Sequence, residues 1–80
     1  MDTSTAVRQR ILDLCRQRGI TVNRLATISG VTQSTVNNVV SGRNHSATVA
    51  TIKKLCDGLD ITLRDFFDAA VFEHLEQEVK

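Results

Sequence analysis

Apolar residues recur along this chain in short helical stripes, separated by glycines and hydroxyl-bearing caps. Val7, Ile11, Leu14 and Cys15 fall on one face and predict a first helix from about Thr5 to Arg18, closed by Gly19. Thr3 or Ser4 is available to cap it, and Met1 to Thr5 are expected to fray. Thr21 reads as the N-cap of a second helix ending at Ile28 or Ser29, with Leu25, Ala26 and Ile28 as its apolar positions. Gly30 supplies a turn, Thr32 caps a third helix, and that helix runs from Gln33 to Val40 or Ser41 and stops at Gly42. A fourth helix follows Thr48 to about Asp57 and is expected to bury Val49, Ile52, Leu55 and Cys56. Thr62 with Asp65 forms a near capping box for a fifth, where Leu63, Phe66 and Phe67 close the core. No segment alternates as a strand would. The pattern is all-α: a compact five-helix domain over residues 1–68.

Residues 69–80 remain. Val71, Phe72, Leu75 and Val79 fall at helical spacing opposite Glu73, Gln77 and Glu78, which predicts a C-terminal helical tail. A core already closed at Phe67 leaves that stripe either to pack back on the first helix or to pair with a second subunit. Pairing is the expectation, with Val71, Phe72, Leu75 and Val79 as a homodimer interface.

The two short helices within residues 21–43 carry the candidate chemistry. On the third helix Val39 and Val40 lie within about 60° of Val36, while Ser34, Asn37, Asn38 and Ser41 lie about 100–200° away from it. Gln33 leads that polar face. Exposed helix positions ordinarily favour Lys, Glu and Ala, whereas Asn and Ser are poor helix formers. Their density here therefore points to hydrogen bonding with something outside the chain. Two helices at a tight turn, the second presenting uncharged donors and acceptors, make a helix-turn-helix suited to a DNA major groove. Gln33, Ser34, Asn37 and Asn38 are the candidate base contacts, with Gln33 and Asn38 as the principal readers. Thr21, Asn23, Thr32, Ser41, Arg43 and Asn44 are the candidate phosphate contacts.

Charge supports that surface once it is divided. Residues 1–45 hold six arginines against two aspartates, a net of +4, and residues 46–80 hold four bases against seven acids, a net of −3. No carboxylate occurs between Thr21 and His45, which suits an approach to phosphates. Cys15 and Cys56 lack CxxC spacing and read as reduced, partly buried thiols. His45 and His74 match no metal-ligand pattern, so neither a metal nor a cofactor is expected. The chain shows no paired carboxylates, no nucleophile beside a base and no phosphate-cradling glycine loop, so an enzyme is not expected. No apolar run reaches the roughly 18 residues that span a bilayer, and no signal peptide is visible. The expected place is the cytoplasm.

The stretch LATISGVTQSTVNNVVSGR resembles the helix-turn-helix of the Cro and phage-repressor (Xre-type) regulators. In that family a leucine-alanine pair, a turn glycine, a Gln- or Ser-led recognition helix and a closing glycine recur at this spacing. TIKKLCDGLDITLRDFF resembles the family's fourth and fifth helices, so the similarity covers roughly Val7 to Phe67. Four positions depart from the pattern. Cys15 stands where many members carry an arginine of an internal ion pair. Val22 replaces a phosphate-binding glutamine, leaving that contact to Thr21, Asn23 or backbone amides. Gly58 and Asp60 stand where alanine and glycine are common, so the fourth helix either ends early or holds Asp60 in a left-handed conformation.

The resemblance implies a sequence-specific double-stranded DNA-binding regulator, a repressor that works as a homodimer on a roughly palindromic operator. The alternative is an antitoxin-like or regulatory module whose main partner is a protein, with DNA binding secondary.

Overall fold

The computed structural model describes residues 1–79. Five α-helices follow in order, α1 (Thr3–Arg18), α2 (Val22–Ser29), α3 (Gln33–Val40), α4 (Val49–Leu59) and α5 (Leu63–Phe67), and then one 3-10 turn at Ala70–Phe72. Each α-helix opens on a side-chain cap that accepts from the amide three residues on: Asp2, Thr21, Thr32, Thr48 and Thr62. These local bonds explain why the helix starts were readable. The exception is α1, which begins at Thr3 with Asp2 as its cap, two residues before the expected start. The Asp2 carboxylate accepts from Thr5 at 2.8 Å, so residues expected to fray are helical.

The core draws on every helix. Ile11, Leu14 and Cys15 of α1, Leu25 and Ala26 of α2, and Val36 and Val39 of α3 meet Ile52, Leu55, Cys56 and Leu59 of α4 and Phe66 of α5. Each large side chain buried there contributes roughly 1.5–3 kcal/mol of apolar transfer. α2 packs most extensively on α4 and next on α3, which fixes α3 at one side of the bundle.

Several expected core positions are open. Ile28 is 39% exposed because the inward stripe of α2 passes through Leu25 and Ala26 to Ser29, the half-buried residue one turn beyond Leu25. Val49 is 66% exposed, since the first turn of α4 projects past the core that Ile52, Leu55, Cys56 and Leu59 line. Phe67 is 41% exposed, and the closing residue is Phe66, which is fully buried.

α4 continues to Leu59, and Asp60 takes the left-handed cap with φ 56°. Of the two expectations for that turn, the left-handed aspartate is correct. Gly58 does not end the helix but lies inside it, where a Cβ would sit 3.1 Å from the Cα of Ser29.

The tail differs most from expectation. It is not a helix beyond the turn at Ala70–Phe72, because α5 stops at Asp68 (ψ 74°) and Ala69 is fully extended. That break folds Phe72 back toward the core, with its ring 5.0 Å from Phe67 and 6.1 Å from Phe66. The turn packs on α1, and the amide of Glu76 donates to the carbonyl of Met1 at 3.0 Å. Packing three phenylalanines together outweighs the helical periodicity of residues 71–79.

Arg10 supplies a long-range polar link. Its Nε donates to the Phe66 carbonyl at 2.7 Å and its Nη2 to the Asp65 carbonyl at 2.8 Å. These carbonyls lie at the end of α5, where that of Asp65 also accepts from the Asp68 amide at 3.3 Å.

Candidate nucleic-acid interface

α3 is held from beneath and open above. Val36 and Val39 are buried, Val40 is half-buried against the core, and Gln33, Ser34 and Asn37 are exposed on the opposite side. Thr32 starts this helix by accepting from the Thr35 amide at 3.3 Å, and its hydroxyl also pairs with that of Thr35 at 2.7 Å. Gly30, in the left-handed region at φ 67°, turns the chain from α2 into that cap.

Among the candidate base contacts the four residues differ. Gln33 and Ser34 project from the first turn. Asn37 donates from Nδ2 to the Oδ1 of Asn23 at 3.1 Å, so a candidate reader on α3 is tied to a candidate phosphate contact on α2. Asn38 is half-buried and turned toward the loop beyond α3, where its Oδ1 accepts from Arg43 Nη1 at 3.5 Å.

The candidate phosphate contacts surround this face, and all six are exposed. Thr21 and Asn23 lie at the start of α2, where free amides and the positive end of the helix dipole favour anions. Thr21 Oγ1 caps the Arg24 amide at 3.0 Å. Ser41 donates to the Asn38 carbonyl at 3.3 Å, and the amide of Asn44 donates to the same carbonyl at 3.0 Å. Asn44 Oδ1 in turn accepts from the Ser46 amide at 2.9 Å, which shapes the loop carrying Arg43.

Two arginines have roles that spacing did not reveal. Arg10 is committed to the end of α5. Arg8 reaches from α1 to the turn after α3, where a Cβ on Gly42 would lie 2.7 Å from its Nη1. Helical periodicity places both away from the apolar face of α1 but not where their long side chains reach.

The remaining chemistry is quiet. Burial pushes the thiols of both Cys15 and Cys56 up, away from thiolate reactivity. Among the described residues no cluster of His, Cys, Asp and Glu has a metal-binding arrangement. None of the described helices is long and apolar enough to cross a membrane.

Comparison with known proteins agrees with this geometry. Residues 10–70 match the family model described as the Cro/C1-type HTH DNA-binding domain. The HTH-type transcriptional regulator RghRB of Bacillus subtilis (strain 168) is 36% identical over 62 residues, covering 78% of this chain and 45% of that protein. The HTH-type transcriptional repressor RghR of the same organism is 38% identical over 53 residues, covering 66% of this chain and 39% of that protein. The chain thus spans less than half the length of these relatives. The crystal structure of the prophage Lp1 protein 11 superposes with a TM-score of 0.80 at 38% identity, covering 94% of this chain and 100% of that one.

Proposed function

The chain belongs to the Cro/C1-type helix-turn-helix DNA-binding family, and from that premise we propose that it is a sequence-specific transcriptional regulator, a repressor, acting on double-stranded DNA in the cytoplasm. α3 enters the major groove with Gln33, Ser34, Asn37 and Asn38 toward base edges. Thr21, Asn23, Thr32, Ser41, Arg43 and Asn44 hold the flanking phosphates. The observation that carries this reading is the two-sidedness of α3, with Val36 and Val39 locked in the core beneath exposed amides and hydroxyls. Amide side chains match adenine N6 and N7 in the major groove, while backbone contacts set register. A protein-interaction module would ask for an apolar face on this helix, and α3 presents a polar one.

One such domain offers few base contacts, so the reading includes a homodimer spanning half-sites about 34 Å apart. Val71 and Leu75 are half-buried and Val79 is 78% exposed, which leaves apolar surface on the tail for a second subunit. Phe72 is partly spent on the core.

Selection of bound duplexes from a random pool tests the reading. Enrichment of a two-fold site with one half per helical turn is expected, and failure to enrich any sequence would overturn it.

A further inference from the structure

We propose that Arg8 is a ligand for a DNA backbone phosphate, a contact that links α1 to the nucleic acid beside the end of the recognition helix. The proposal rests on the DNA-binding reading above and adds a helix that reading did not use.

Arg8 leaves α1 and crosses to the turn that follows α3. There its Nη1 occupies the space that a side chain on Gly42 would need, 2.7 Å from an added Cβ. Gly42 itself stands at φ 84°, so the turn both bends left-handed and stays bare where the guanidinium rests. The side chain is half-buried, yet it makes no hydrogen bond or ion pair with any other described residue. Of the other arginines of α1, Arg10 holds two carbonyls of α5, Arg16 pairs with Asp13 at 2.7 Å, and Arg18 is exposed at the helix end. A permanently charged fork of N–H donors with no partner among the described residues is free to bind an anion from outside the chain.

The surroundings name the chemistry of that partner. The turn continues directly into Arg43, which is exposed, and Ser41 lies just before it. From Thr21 to His45 the chain contains no carboxylate. Arg8 beside Gly42, with Arg43 the next residue of the chain, puts positive charge at this end of α3, and a planar guanidinium can bind a phosphodiester through paired N–H donors. The negative end of the α3 dipole also favours a cation here, so a purely structural role for Arg8 makes a different prediction.

The test measures affinity of the full chain for its selected duplex and for a random duplex across a salt series, in the parent, Arg8→Gln and Arg8→Lys. Arg8→Gln should lower the slope of log affinity against log salt by about one unit, with equal losses on both duplexes. Arg8→Lys should keep the parental slope, and melting temperatures of all three should agree within a few degrees. An unchanged slope in Arg8→Gln overturns the proposal, and a lowered melting temperature accompanying that unchanged slope assigns Arg8 to capping α3. Parental protein that shows no salt-dependent binding would instead defeat the DNA-binding reading itself.

Discussion

Gly58 lies against Ser29 where α4 crosses α2: a Cβ at Gly58 would sit 3.1 Å from both the Cα and Cβ of Ser29 and would overlap its Oγ. That hydroxyl is buried without a hydrogen-bond partner among the described residues. Glycine to alanine inside a helix ordinarily gains up to about 1 kcal/mol. Here Gly58→Ala should lose on the order of 1–2 kcal/mol through overpacking. Ser29→Ala should gain about 1 kcal/mol by removing the unpaired hydroxyl. Denaturant unfolding of the double variant should show it more stable than the two single effects sum to. Strict additivity would show that the two residues do not collide.

Arg10 holds α5 to α1 through the carbonyls of Asp65 and Phe66. Arg10→Met keeps the aliphatic stem and removes both bonds. A loss of about 1.5–3 kcal/mol is expected for hydrogen bonds made by a charged group. In a domain of this size that lowers the melting temperature by roughly 6–24 °C. The salt dependence of DNA binding should not move, because this guanidinium faces the protein. A changed salt slope with unchanged melting would reverse that assignment.

The acid limb of stability should depend on two caps. Hydrogen bonds from the Thr62 amide and side chain hold the Asp65 carboxyl below its ordinary value of 3.8, and bonds from the Thr5 side chain and amide do the same for Asp2. A depressed folded-state pKa gives stability that is full above the unfolded value and is lost as pH falls through the folded one. Melting temperature should therefore drop below about pH 4. Asp65→Asn should shallow that drop and leave the slope near pH 7 unchanged. An identical acid limb in the variant would show that the cap carries no such linkage.

What was legible in the sequence was local. Thr21, Thr32, Thr48 and Thr62 cap amides three residues away, and Leu25, Val36, Val39 and Leu55 follow helical period, so helix order and the polar face of α3 could be read directly. Contacts set by assembly could not. Arg10 meets Phe66 across 56 residues. Gly58 meets Ser29, and Arg8 meets Gly42, only once the helices cross. The tail shows the same limit from the other side: residues 71–79 have helical period, but the ring of Phe72 gains more by joining Phe66 and Phe67.

Phe72 should therefore contribute to the fold of a single chain. Phe72→Ala should cost about 1–3 kcal/mol, less than a fully buried phenylalanine. Ending the chain after Asp68 should lower the melting temperature to a similar degree. Light scattering on the same samples reads the second role of the tail, with dimer expected for the full chain and monomer for the shortened one. A shortened chain that melts at the parental temperature would remove Phe72 from the core.

Whether α3 reads bases is tested most directly at Gln33, which is exposed at the leading end of the helix and outside the core. The measurement is the affinity of Gln33→Ala and parent for the selected duplex and for the same duplex with both half-sites scrambled. A loss of about 1–3 kcal/mol on the selected duplex is expected, with almost none on the scrambled one. Equal losses on the two duplexes would contradict the account, because they would make Gln33 a backbone contact and leave the exposed face of α3 without a reader.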